Sequence, residues 1–152
     1  MLQRVQTLYL LGVFILIVLM FTGPIADLST EAGVLSMKHS GIFNSQGEKL
    51  ALSTWPLTLF FSLVAALSFL NIFSYKHRVR QMRFCIFLIL VSFGMVGIMF
   101  YYTWVSGSKF ESTQTLYQWR FVIPPIAIVL LYLAFRGIRK DELMVKAYDR
   151  IR

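Results

Sequence analysis

Four long apolar segments, separated by polar ones, limit what this chain can fold into more than any other feature of its sequence. They cover residues 7–25, 55–75, 84–105 and 119–135. A helix needs about 17–25 mostly apolar residues to cross a hydrocarbon core about 30 Å thick, and its backbone groups must bond within the helix because lipid offers them no partner. The sequence therefore predicts a single domain, residues 1–152, with four membrane-spanning α-helices.

Charge divides the connecting segments into two sides. Loops 26–54 and 106–118 lie on one side, and the N-terminus, loop 76–83 and tail 136–152 lie on the other. Eleven of the 15 Lys and Arg residues fall on the second side, which has a net charge of +8, whereas the first side is neutral when Arg120, at the start of the fourth span, is counted with it. Basic loops stay in the cytoplasm, so we expect both termini to be cytoplasmic. The tryptophans lie at the opposite ends of the spans, at the headgroup level that aromatic rings prefer: Trp55, Trp104 and Trp119.

The first outer loop is too long for a simple turn. Residues 41–43 and 49–53 flank Asn44-Ser45-Gln46-Gly47, a pattern that favours a β-hairpin with a four-residue loop. Because an isolated hairpin is marginally stable in water, we expect it to rest on loop 106–118 or on another protein.

The tail after the fourth span carries apolar residues with helical spacing. Met144, Ala147, Tyr148 and Ile151 fall at positions i, i+3, i+4 and i+7. This spacing predicts an amphipathic cytoplasmic helix, either separate from the fourth span or continuous with it.

The spans offer few residues that could carry out catalysis or transport. Their apolar parts contain no Asp, Glu, Lys, Arg or His, and pumps and ion-coupled transporters need such groups inside the membrane. The single cysteine, Cys85, and the two histidines, His39 and His77, have no ligand or catalytic partner nearby in the sequence. We therefore expect no catalytic, cofactor-binding or metal site.

Small and polar residues in the second and third spans are candidates for helix packing. Ser62 and Ala66 form a small-xxx-small pair, and Gly94 and Gly97 offer a similar surface. Asn71 is the most polar residue within a span. It could contact a substrate, but an interhelical hydrogen bond is the commoner role of such a residue, and we favour that role.

Two consecutive prolines, Pro124 and Pro125, lie in the fourth span. A helix that began at Pro124 would reach Phe135 in only about 18 Å, too short to span, so we expect it to begin near Trp119. The prolines would then lie inside the helix and kink it. Carbonyl groups freed by the prolines could alternatively form an ion or ligand site.

The basic residues on the cytoplasmic side could bind anionic lipid headgroups, although they could also serve only to set the topology. We do not expect nucleic acid as a partner. The candidate lipid-binding residues are Lys76, Arg78, Arg80, Arg83, Arg139 and Lys140.

Four segments of this chain carry a resemblance to a known family: the opening MLQRVQTLYLL, the sequence Trp55-Pro56-Leu57, the loop YKHRVRQMR and the ending IRKDELMVKAYDRIR. Over its whole length the chain resembles a family of small four-span membrane proteins from diderm bacteria, known only as a domain of unknown function. The resemblance implies the bacterial inner membrane, with the outer loops in the periplasm. It implies no catalytic or binding residue.

The expected fold is an all-α, four-span membrane protein with a small periplasmic loop cap that contains the β-hairpin. The expected function is that of a non-enzymatic accessory or structural subunit, bound to a larger inner-membrane assembly such as the protein-export machinery. A homo-oligomeric channel or transporter is the second hypothesis, and a lipid-modifying enzyme is the third. The residues expected to contact the partner are Ile42, Phe43, Met144, Tyr148 and Ile151.

Overall fold

The structure is a computed structural model that describes residues 2–31, 33–50, 52–74, 77–110 and 113–150. Four long α-helices account for most of these residues: α1 (Leu2–Leu19), α2 (Trp55–Phe73), α3 (Arg78–Lys109) and α4 (Ile123–Arg150). A short 3₁₀ helix extends α1 over Met20–Thr22, and another precedes α4 over Trp119–Val122. Each of the four long helical segments is long and apolar enough to cross a membrane, as the sequence predicts. This is consistent with a multi-pass membrane protein.

The helices form a four-membered ring in chain order. α1 packs on α2 and α4, and α3 packs on the same two helices. Side chains such as Leu10, Phe61, Leu88 and Leu131 are completely buried between them. The opposite faces carry exposed apolar side chains, among them Leu90 at 64%, as expected of helices whose outer surface meets lipid.

Two helices are longer than their apolar segments. α3 has 32 residues and α4 has 28, which corresponds to about 48 Å and about 42 Å at 1.5 Å per residue. Both exceed a hydrocarbon core of about 30 Å. The basic residues from Arg78 to Arg83 therefore form the first turns of α3, and the polar tail continues α4 without a break to Arg150.

A small antiparallel sheet covers one end of the bundle, which we call the sheet end. Its strands lie in the order β3-β2-β1-β4. Their bounds are Ala26–Thr30 for β1, Gly33–Lys38 for β2, Gly41–Phe43 for β3 and Gln114–Tyr117 for β4. Because β4 comes from the second loop and pairs with β1, the two loops on this side form one structure.

The sheet differs from the single hairpin that the sequence predicts. The predicted turn is present, since the Gly47 N–H donates to the Asn44 carbonyl at 2.9 Å. Among the described residues, which exclude residue 51, the chain that returns from this turn pairs with β3 through a bridge between Phe43 and Lys49. The sheet depends mainly on β1, β2 and β4, whose short mixed sequences gave no clear strand pattern.

The sheet is attached to the bundle by a shared core and by side-chain hydrogen bonds. Ile25, Met37 and Ile42 are completely buried and belong to the same apolar cluster as the helix core. The Thr54 hydroxyl at the start of α2 donates to the Lys38 carbonyl at 2.7 Å.

The fourth helical segment begins at Trp119, as the sequence predicts, with a 3₁₀ turn that leads into the α-helix at Ile123. Pro124 and Pro125 therefore lie in the first turn of the α-helix, where proline is tolerated. The kink at these prolines stays a prediction.

Candidate functional site

The end of the bundle opposite the sheet carries the N-termini of α1 and α3 and the C-termini of α2 and α4, and we call it the basic end. Gln6 on α1 and Asp141 on α4 meet there. The Gln6 Nε2 donates to the Asp141 Oδ2 at 2.6 Å, and both side chains are 6% exposed. This bond joins residues that are 135 positions apart in the chain.

A second buried polar group joins the other two helices at the same end. The Asn71 Nδ2 on α2 donates to the Cys85 Sγ on α3 at 3.3 Å and to the Gln81 carbonyl at 3.5 Å. In return, the Gln81 Nε2 donates to the Asn71 carbonyl at 3.2 Å. Asn71 therefore makes an interhelical bond in the structure, while a substrate contact has no observation in its favour.

The contact between α1 and α4 depends on a residue without a side chain. A Cβ added at Gly137 would lie 3.1 Å from the Gln6 Cγ, closer than an ordinary van der Waals contact. The two helices can therefore approach closely enough for Gln6 to reach Asp141, which follows Gly137 by about one turn.

Two acceptors at this end have no partner among the described residues, the Asp141 Oδ1 and the Asn71 Oδ1. Buried acceptors of this kind are costly unless a donor or a water molecule reaches them. In the part of the chain that the structure describes, no three His, Cys, Asp or Glu residues lie close enough to hold a metal ion. The arrangement is therefore suited to joining helices.

A cleft of about 640 Å³ opens beside this polar group, between the start of α3 and α4. An Arg78 guanidinium nitrogen, Nη1, donates to the Asp141 carbonyl at 3.3 Å and connects the two helices beneath the cleft. We call it the basic cleft. Its lining includes His77, Arg78, Arg80, Arg83, Glu142 and Val145.

The last turns of α4 expose apolar side chains past Arg136, Arg139 and Lys140 of that helix. Leu143 is 58% exposed, Met144 36% and Val145 42%. These residues follow Lys140 and lie beyond the apolar segment in the direction of the chain terminus.

The sheet end has polar contacts of its own. Asp27 accepts hydrogen bonds from the Ser36 hydroxyl at 2.8 Å and from the Gln118 Nε2 at 2.5 Å. His39 packs edge-on against the Phe21 ring at 5.1 Å. Burial, with a smaller contribution from the neighbouring Lys38, lowers the pKa of His39 below its ordinary value of 6.5.

The residues predicted to contact a partner differ in how far they are exposed. Ile42 is completely buried beneath the sheet, which corrects that assignment, because a strand residue facing the bundle cannot also face a partner. Phe43 is half-buried, with the Lys38 ammonium 5.0 Å from its ring. Met144 is exposed, whereas the Tyr148 side chain and Ile151 lie outside the described residues.

Only some of the predicted packing residues lie at helix contacts within the chain, and Asn71 is one of them. Ser62 and Ala66 are exposed, because the buried stripe of α2 follows other positions: Leu57, Phe61, Val64, Ala65, Ser68 and Asn71. Gly94 and Gly97 on α3 are also exposed. A Cβ at Gly94 would make ordinary contact with Phe60 at 3.5 Å, and a Cβ at Gly97 would meet nothing within 4 Å.

The predicted lipid-binding residues lie at the basic end. Arg80, Arg83, Arg139 and Lys140 are exposed. Arg78 is half-buried by its bond to α4, and Lys76 lies outside the described residues.

The pair Gln6 and Asp141 was not predicted from the sequence, because both residues lie outside the apolar segments. The helical spacing of each residue from apolar positions could have indicated that it faces the core. Asp141 continues the buried stripe of α4 at i+3 from Ile138 and i+7 from Ala134, and Gln6 precedes the buried Leu10 by four residues. A polar residue at a core position of a helix calls for a partner on a neighbouring helix.

Comparison with curated proteins found no match. A family model does match, and it covers residues 2–151, nearly the whole chain. The family has no assigned function, in agreement with the resemblance drawn from the sequence. The chain belongs to the family described as Domain of unknown function (DUF4293).

Proposed function

We propose that this protein is a non-enzymatic subunit of a larger membrane-protein assembly in the bacterial inner membrane, with its basic end in the cytoplasm. It holds its partner through the exposed apolar side chains near the end of α4. The direction in the membrane follows from the positive charge of the basic end, since basic segments stay in the cytoplasm.

The observation that carries this proposal is the exposure of Leu143, Met144 and Val145. Met144 lies eight residues past Arg136, about 12 Å along the helix. A hydrophobic patch that projects beyond the lipid is costly in water and commonly marks a site of protein association. Because α4 is one continuous helix to Arg150, it continues in the direction of the span. A helix that turned to lie on the membrane surface would need a break.

Association can be tested by purification of the protein from a native membrane in mild detergent, with co-purifying proteins identified by mass spectrometry. We expect L143D/M144D to lose a partner that the wild-type chain retains. The control R139Q/K140Q changes exposed residues one turn away on the same helix and should retain the partner. Equal amounts of each variant in the membrane fraction would show that insertion is unaffected.

Two outcomes would refute the proposal. One is purification of only a monomer or homo-oligomer from the native membrane. The other is solute transport or lipid turnover by the purified protein alone in vesicles, which would favour a channel or an enzyme.

Orientation has its own test, in a Cys85→Ser background. A cysteine at Ser45, at the sheet end, should react with an impermeant thiol reagent in intact spheroplasts. A cysteine at Arg80, at the basic end, should react only after the membrane is opened. Both positions are exposed, so accessibility within the chain does not limit the reaction. Labelling of position 80 in intact spheroplasts would reverse the proposed orientation.

A further inference from the structure

We propose that the basic cleft binds the phosphodiester group of an anionic phospholipid, whose acyl chains lie along the exposed apolar face of α3. The cleft shares Val145 with the apolar end of α4, but the arginines that carry this proposal lie on α3, and lipid binding does not depend on the proposed partner.

The charge of the cleft suits a phosphodiester. Arg78, Arg80 and Arg83 supply three formal positive charges against the one negative charge of Glu142, so that the net formal charge of these four side chains is +2. A phosphodiester carries one negative charge, and guanidinium groups bind phosphate oxygens through paired N–H donors.

The start of α3 adds a second source of attraction. The helix has 32 residues, its N-cap residue His77 makes no side-chain capping bond, and Arg78 is its first residue. The first N–H groups of a helix lack intrahelical acceptors and point toward the N-terminus with a partial positive charge. This is the arrangement that binds phosphate groups at helix N-termini.

One wall of the cleft is held in position. Arg78 donates to the Asp141 carbonyl at 3.3 Å, and the Asp141 side chain is in turn bonded to Gln6. The backbone to which Arg80 and Arg83 are attached is therefore fixed relative to α4, so that less conformational entropy is lost when an anion binds.

The surface next to the cleft distinguishes a lipid from a soluble anion. Ile86, Phe87 and Leu90 follow Arg83 at i+3, i+4 and i+7, on the same helix face. They are 47%, 48% and 64% exposed. Inorganic phosphate has no apolar part that could contact this strip, whereas the acyl chains of a phospholipid whose headgroup lies at Arg83 would cover it.

The test uses the purified full-length chain in detergent, with phosphatidylglycerol and phosphatidylcholine added in turn and bound lipid counted by native mass spectrometry. We expect retention of phosphatidylglycerol in preference to phosphatidylcholine. The variant R80Q/R83Q should weaken phosphatidylglycerol binding by about fivefold for each arginine removed. The matched control K49Q/K109Q removes two exposed positive charges at the sheet end, away from the cleft, and should bind as the wild type does.

Three results would overturn the proposal: equal retention of the two lipids, equal loss in R80Q/R83Q and in the control, or binding of inorganic phosphate without phosphatidylglycerol. Thermal unfolding of each variant checks that it is folded. If R80Q/R83Q does not fold, the single variant R83Q and the apolar variant L90A take its place. Both change exposed side chains, and both should weaken phosphatidylglycerol binding. Unchanged binding in both would also refute the site.

Discussion

At the sheet end the loops between helices pair backbone to backbone, whereas at the basic end the helices are joined by buried side chains. β1 pairs with β2 on one side and with β4 on the other. At the basic end the connection between α1 and α4 is a bond between two side chains, Gln6 and Asp141. Both ends bring together segments that are distant in the sequence.

The difference predicts how each end responds to substitution. Backbone hydrogen bonds form with almost any side chain, so the sheet should be sensitive mainly to changes that its backbone conformation cannot accept. A side-chain bond requires particular residues, and loss of one partner leaves the other buried and unpaired. Single substitutions of polar residues should therefore have their largest effects at the basic end.

The largest effect is expected from Gln6→Ala. It removes the amide that donates to the Asp141 Oδ2 and leaves a buried carboxylate without this donor. We expect the free energy of unfolding to fall by about 2 kcal/mol, measured by denaturant or thermal unfolding in detergent. The double variant Q6L/D141L removes both partners and should be more stable than Gln6→Ala. Equal losses for Q6A and Q6L/D141L would show that leaving the Asp141 carboxylate without this donor carries no penalty.

At the sheet end, Gly33→Ala should have a smaller effect. Gly33 is the first residue of β2 and has a φ of 124°, a backbone conformation that residues other than glycine rarely adopt. We expect a loss of about 1 kcal/mol from backbone strain. Val34→Ala, at the exposed next position, serves as the control and should cost less. If Val34→Ala were the more damaging change, the stability of the sheet end would depend on side-chain contacts more than on backbone conformation.

The sheet end should also respond to pH through His39. Its folded pKa lies below the unfolded value of 6.5, so the unfolded state binds the proton more readily. Stability is therefore retained above pH 6.5 and falls as the pH drops below it. We expect the thermal midpoint of the wild type to fall more steeply below pH 6.5 than that of His39→Gln. Parallel pH profiles for the two proteins would contradict the lowered pKa.

The smallest effect is expected midway between the two ends. Ser62 is exposed on α2, so Ser62→Leu should change the free energy of unfolding of the isolated protein by less than about 0.5 kcal/mol. Ser68 is completely buried six residues later, and Ser68→Leu should cost about 1 kcal/mol through overpacking, more than Ser62→Leu and less than Gln6→Ala. Similar losses for the two variants would restore Ser62 to the packing surface.

The four helices could be predicted because a long apolar segment has only one way to satisfy its backbone in lipid. The helix ends were harder to predict, because hydropathy marks only where the apolar segment ends. α3 begins six residues before its apolar segment, and α4 continues 15 residues past its own. The strands were mostly missed because their pairing crosses between two loops. The Ser29↔Gln114 pair, for example, joins residues 85 positions apart, and no local pattern in either segment indicates its partner.

Composition and charge placement alone predicted the class of protein, the number of spans and the basic character of one end. They could do so because apolar length and net charge are sums over a segment, which do not depend on its neighbours. The direction in which a small or polar residue faces depends on those neighbours. Only packing of the whole bundle turned Ser62 and Gly97 outward, buried Ile42 beneath the sheet, and placed Gln6 against Asp141.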